Sequence, residues 1–204
     1  MYCILITGIP ASGKSTMAEF LANHLNLPVI SKDNIKELMY DVIGFRSREE
    51  KVRLGIASMD IMYYMAEQLM KRQQPFILEN NFENISREGL LAILEKYSYT
   101  AITVTLTGDY KKIYQRFLER NDSPDRHRGH VVNQCYPERG TPGDVTSISY
   151  EGFVAGITNR GMDCFVANGP HIIVDTTDFG KIDREEILDK IIEYREEILN
   201  DGYE

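Results

Sequence analysis

The sequence predicts an α/β fold: a parallel sheet with helices on both faces. Three observations carry this reading. Short apolar strand patterns alternate with helical ones along the 204 residues. A glycine-rich segment of the form G-x-x-x-x-G-K-S stands where the first strand pattern gives way to the first helix. The later strand patterns close on polar residues, as expected of a parallel sheet whose strand ends line a ligand crevice.

Tyr2-Cys3-Ile4-Leu5-Ile6-Thr7 is a buried-strand run, and 14–25 follows as a helix with Met17, Phe20, Leu21 and Leu25 at helical spacing. Residues 28–31 read as a second strand and 34–43 as a helix. Ser47-Arg48-Glu49-Glu50 has the spacing of a capping box. It opens a long helix whose stripe of Val52, Ile56, Met59, Tyr63, Ala66 and Met70 is assigned to the core. Residues 75–79 form a third strand, 86–96 a helix led by Leu90, Leu91, Ile93 and Leu94, and 100–106 a fourth strand. Asp109 caps the next helix. Residues 171–175 are the last strand, and Asp183 and Glu186 cap a final helix with Ile187, Ile191 and Ile198 inward. One region, 121–149, breaks the pattern with Pro124, Gly129, Pro137, Gly140, Pro142 and Gly143. It is too long for an ordinary connection, which leaves a functional lid or a disordered segment. The expectation is one domain, 1–204, with a lid region at about 109–149.

The composition is that of a soluble globular chain: 43% hydrophobic and 26% charged. No apolar run is long enough for a membrane span, and the first residues run straight into the glycine-rich loop with no pattern of a leader. Cys3, Cys135 and Cys164 lack paired spacing and fit a reducing, cytoplasmic setting. A net charge of -8 disfavours a chain that mainly grips nucleic acid.

The glycine-rich segment is Gly8-Ile9-Pro10-Ala11-Ser12-Gly13-Lys14-Ser15, with Thr16 next. Glycines let successive N–H groups turn inward as an anion nest, and the helix start adds its positive dipole end. Lys14 can reach β- and γ-phosphates and Ser15 can ligate Mg²⁺, so the segment reads as a nucleotide phosphate loop.

Other strand ends supply candidate chemistry. Asp33 closes the second strand, either as a base for an acceptor hydroxyl or as a helix cap; the two roles are compatible. Lys36, one turn on, can hold an anionic group of an acceptor or lie solvated. Glu79 closes the third strand, to orient an acceptor or a metal-bound water, while Asn80 and Asn81 join it or serve as turn residues. Lys112, Arg116 and Arg120 share one helix face, and Arg126-His127-Arg128-Gly129-His130 follows. This concentration of guanidinium groups beside an irregular segment suggests a lid over nucleotide phosphates. His127, His130 and Cys135 lack a fourth ligand and a paired Cys spacing, which argues against zinc. Asp175-Thr176-Thr177-Asp178 borders a nucleotide base or forms a plain turn.

Together, residues 8–15, Ser31-Lys32-Asp33 with Asn34-Ile35-Lys36, Glu79-Asn80-Asn81-Phe82, residues 126–130 and Asp175-Thr176-Thr177 resemble the small P-loop kinases. The nearest groups are the zeta-toxin-like and polynucleotide-kinase-like kinases, with chloramphenicol phosphotransferase and gluconate kinase as cousins. The resemblance implies a P-loop NTPase sheet of five parallel strands in order 2-3-1-4-5, with ATP and Mg²⁺ as cofactors. It implies an acceptor-activating role for Asp33, catalytic roles for Lys14 and Arg126, and nucleotide contacts from Arg116 and Arg120. It also implies an acceptor site near Asp33, Lys36, Glu79 and Asn81. Glu79 stands where a classical Walker B aspartate would be expected. The leading expectation is an ATP-dependent kinase acting on a hydroxyl of a small molecule. A polynucleotide 5′-hydroxyl kinase is kept open by Lys36 and the basic lid, and a nucleotide-dependent switch with little transfer activity is the third reading.

Overall fold

The computed structural model describes residues 1–138 and 148–201; the lid expected at 109–149 therefore lies partly outside the described residues. The run of apolar and β-branched residues at the start forms β1 (Tyr2–Gly8), buried along its whole length. It is followed by α1 (Lys14–Leu25), β2 (Val29–Ser31), α2 (Lys32–Ile43), α3 (Arg48–Met70), β3 (Ile77–Glu79), α4 (Asn84–Lys96) and β4 (Thr100–Thr107). Then come α5 (Tyr110–Asp122), α6 (Arg128–Val131), α7 (Tyr150–Thr158), β5 (His171–Asp175), a 3-10 turn at Phe179–Lys181 and α8 (Arg184–Asp201).

The five strands form one parallel sheet in the order β2-β3-β1-β4-β5. This is the expected order. The chain winds outward from β1 first to one side and then to the other, so the crevice opens at the carboxyl end of β1. Ile6 pairs with both Glu79 and Val104, and Glu79 pairs with Ser31, so the ends of β1, β2 and β3 lie level. One sheet face is covered by α1 and α8 through Met17, Leu21, Ile187 and Ile191. The other is covered by α3 and α4 through Met62, Ala66, Met70, Leu90 and Leu94.

Three readings of local structure need correction. Helix α2 starts at Lys32, because the Ser31 hydroxyl accepts from the Asn34 N–H and serves as the cap. Asp33 therefore lies in the first turn of α2, neither closing the strand nor capping the helix. In α3 the buried line runs through Ser58, Met62, Ala66 and Met70. Val52 and Ile56, assigned to the core by spacing, remain 51% and 59% exposed. The i+4 ridge that meets the sheet passes through Leu54 instead, which is partly buried beneath the residues around Val131. Ser47 does cap α3, but the Glu50 carboxylate takes the N–H of Arg46, one residue before the position a capping box uses.

The basic segment after α5 is packed rather than irregular up to Glu138. Val131 and Val132 join Tyr40 and Phe45 in a small apolar cluster. The Lys51 ammonium donates to the carbonyls of His130 and Val132, and Phe45 and Tyr136 exchange backbone bonds at 2.8 Å. His127 and Tyr136 both reach the Asp41 carboxylate. Gly129 is required at this seam, because a Cβ there would stand 2.3 Å from the Tyr40 ring. Gly129→Ala is expected to force the segment off α2, at about 1–3 kcal/mol, lowering the melting temperature by roughly 2–10 °C. The exposed helical position Gly89→Ala is the control and should hold or raise the melting temperature. Thermal denaturation followed by circular dichroism reads both.

Candidate active site

The phosphate loop turns the chain off the end of β1. Gly8, at φ +124°, lies so close to the Leu106 carbonyl that a side chain would collide with it. Ile9 is buried with Ile113, Phe153 and Ile157, which fixes the loop from below. The Ser12 hydroxyl and the Lys14 ammonium both donate to the Ile9 carbonyl at 2.8 Å. Pro10, Ala11, Gly13, Lys14, Ser15 and Thr16 face an open cleft of about 700 Å³, whereas Ile9 and Ser12 are fully buried. A second, small hollow of about 110 Å³ lies beside it, between Gly13, Thr16, Phe179 and Ile182.

Lys14 is 8% exposed and forms no ion pair among the described residues. Burial pushes its pKa down to about 8, against the opposing pull of Glu79 and Asp33. Glu79 is 5% exposed and takes hydrogen bonds from Ser31 at 2.5 Å and Ser15 at 3.4 Å. Burial raises its pKa, while Lys14 and these hydroxyls pull the other way. The Asp33 side chain is exposed and lines the cleft. Burial alone would raise its pKa; His130 first, then Lys36, Arg126 and Lys14, outweigh this and hold the carboxyl below its usual range. His130 is pushed down to about 3 by burial, so its neutral ring donates from Nε2 to Glu37 at 2.8 Å. Asp33 is thus ionised at neutral pH and has no hydrogen-bond partner among the described residues.

The three arginines differ. Arg116 is tied to the segment after β5: it donates to the carbonyls of Thr176 and Thr177 at 2.6 Å each and lies 3.9 Å over the Phe179 ring. Arg120 and Arg126 reach into the cleft, each with a buried Nε that has no hydrogen-bond partner among the described residues. Their mutual repulsion adds to burial in pushing Arg120 down to about 10. Arg126 approaches Glu37 only at 3.9 Å.

Asp33, Lys36, Glu79, Asn81, Arg116, Arg120 and Arg126 all meet in this cleft with Lys14 and Ser15. Asn80 instead turns its amide toward Met59, and Lys112 is exposed outside the cleft. His127 and His130 bind different carboxylates, and no metal-holding cluster of His, Cys, Asp and Glu occurs among the described residues. Sequence reading missed Glu37, Phe117, Arg160 and Phe179, all of which line the cleft. His130, expected only as part of the basic lid segment, lines the cleft as well.

A family model described as an AAA domain matches residues 4–137. The chain belongs to this AAA-domain family of P-loop proteins. Solved structures carry the likeness across almost the whole chain. A candidate kinase from Chloroflexus aurantiacus is 27% identical with a TM-score of 0.78, covering 95% of this chain and 97% of that one. A gluconokinase from Sinorhizobium meliloti aligns at 11% identity and a TM-score of 0.54, over 98% of this chain and 95% of its own. A shikimate kinase from Bacteroides thetaiotaomicron aligns at 14% and 0.53, over 96% and 98%. The last two bear on fold alone. The fold is that of the small P-loop kinases, and among the described residues no helix is long and apolar enough to cross a membrane.

The state of Lys14 has a measurable consequence. Its folded pKa lies below the unfolded value of 10.5, so its penalty is fully present below about pH 8. Between pH 8 and 10.5 the unfolded chain holds more protons at this site, and stability rises with pH. Nucleotide-free Lys14→Met is expected to lose this rise and to be more stable at pH 7 by up to about 3 kcal/mol. Urea denaturation of both proteins at pH 7 and pH 10 measures the difference.

Proposed function

We propose that the protein is an ATP-dependent kinase transferring the γ-phosphoryl group to a hydroxyl of a small-molecule acceptor. One observation carries the reading: an ionised Asp33 shares a cleft with a buried Lys14 and two arginines, and among the described residues neither the Asp33 carboxylate nor the arginine Nε groups have a hydrogen-bond partner. Groups left so incompletely paired suit an anionic ligand that completes them.

The phosphates lie on the loop, with Lys14 at the β,γ-oxygens and Arg120 and Arg126 closing from α5 and the segment after it. The base rests against Phe179, which Arg116 stacks upon and thereby steadies. Ser15 and Glu79 offer hard oxygen donors of the kind that would hold Mg²⁺, which when bound would neutralise phosphate charge. This assigns Glu79 to the metal side rather than to the acceptor, while Asn81 borders the acceptor. Asp33 removes the hydroxyl proton as the acceptor oxygen bonds to the γ-phosphorus. The bond from that phosphorus to the bridging oxygen breaks, and ADP departs. We read residues 1–204 as one kinase domain whose lid spans about 109–149. The free cysteines Cys3, Cys135 and Cys164 suit a cytoplasmic setting.

Lys14→Ala is expected to abolish transfer. Asp33→Asn is expected to lower kcat by about 10²–10⁴ while leaving ATP affinity essentially unchanged. Steady-state kinetics with a nucleotide-binding titration separates these outcomes. Full turnover in either variant, with any acceptor that stimulates the wild type, contradicts the assignment.

A further inference from the structure

Beyond Asp33 the cleft has a second cationic group. The charges acting most strongly on Lys14 are Glu79, Asp33, Arg120 and Arg126. Those acting most strongly on Lys36 are Asp33, Lys32, Arg126 and Glu83. Asp33 feels both lysines, and Asp33, Lys36 and Arg160 line the same cleft as the phosphate loop. Besides Asp33, Glu83 also acts on Lys36, and it is engaged by Arg160 at 3.1 Å.

Lys36 is the informative member. An ordinary surface lysine extends into water. Lys36 is instead folded over the Tyr40 ring, 5.6 Å from its centroid, within the cleft. Among the described residues its ammonium has no hydrogen bond and no ion pair. Burial and the like charges of Lys32 and Arg126 both push its pKa down. Asp33 is the largest charge opposing this shift, and a bound anion would add the direct partner that the Lys36 ammonium lacks among the described residues. The cleft of about 700 Å³ suits a nucleotide together with a small second ligand.

Resting on the kinase reading above, we propose that the acceptor is a small hydroxyl compound bearing an oxyanion. That group, a phosphate or a carboxylate, sits against Lys36 with Arg160 in the same cleft, and the compound's hydroxyl is presented to Asp33. The oxyanion is recognised and takes no part in bond making.

The test is calorimetric titration of inorganic phosphate into protein already saturated with Mg²⁺ and a non-hydrolysable ATP analogue, so that the loop is filled. The wild type is expected to bind phosphate. Lys36→Gln should bind it at least tenfold more weakly, Lys36→Arg should recover most of the affinity, and Lys112→Gln should match the wild type. Thermal melts confirm that each variant is folded, and Arg160→Gln serves as a second, milder disruption. Titrating acetate in parallel shows whether a carboxylate or a phosphate is preferred. Absence of phosphate binding to the saturated wild type, or equal binding by Lys36→Gln, overturns the proposal. A 5′-hydroxyl oligonucleotide binding more tightly than either anion, and through Lys36, overturns its small-molecule part. Failure of the ATP analogue to bind is a separate result and counts against the kinase reading itself.

Discussion

A buried ammonium at the end of the central strand is the constraint around which the site is arranged. Lys14 gives up most of its hydration and receives in return one carbonyl, that of Ile9, with Glu79 and Asp33 pulling only from a distance. Such an arrangement is unfavourable by itself and becomes favourable when an anion arrives. Its stability in the empty protein has to come from elsewhere. It comes from the parallel pairing of β1 with β3 and β4, and from Ile9 anchored among Ile113, Phe153 and Ile157.

The same logic extends to the other side of the cleft. Arg120 and Arg126 repel each other, and the Nε of each has no hydrogen-bond partner among the described residues. They are held because α5 is secured through Arg116 to the Thr176 and Thr177 carbonyls, and because the segment after α5 is packed onto α2. The His130–Glu37 bond, the Lys51 bonds and the Gly129–Tyr40 seam all join that segment to α2, the helix that carries Asp33 and Lys36. The base, the acceptor-side lysine and the arginines are therefore positioned by one packed unit. This coupling gives the basic segment a structural reason beyond its charge.

Much of the fold was legible because its signals are local. The loop motif, the strand runs and the capping residues Ser47, Asp109 and Asp183 each depend on neighbours within a few positions, and each stands where the pattern puts it. The errors arose where distant contacts decide. Spacing cannot say which of two adjacent ridges on α3 meets the sheet, and Val52 and Ile56 lie on the one that does not. Asp33 and Ser31 are both good caps, and the shared bonds of Ser31 with Glu79 and Asn34 decide between them. Helices α6 and α7 are too short to show periodicity. Arg160 and Phe179 reach the cleft from segments far from the motif and carry no local signature. A glutamate and a histidine 93 positions apart, Glu37 and His130, can be paired only by the fold.

The central claim is that these groups move a phosphoryl group to a hydroxyl rather than merely bind or hydrolyse nucleotide. Following the label of γ-³²P-ATP in the presence of a mixture of hydroxyl compounds tests it most directly. The account predicts label in an acid-stable phosphoester whose formation depends on acceptor and is lost in Asp33→Asn. Label released only as inorganic phosphate, at a rate indifferent to acceptor and to Asp33, would contradict it.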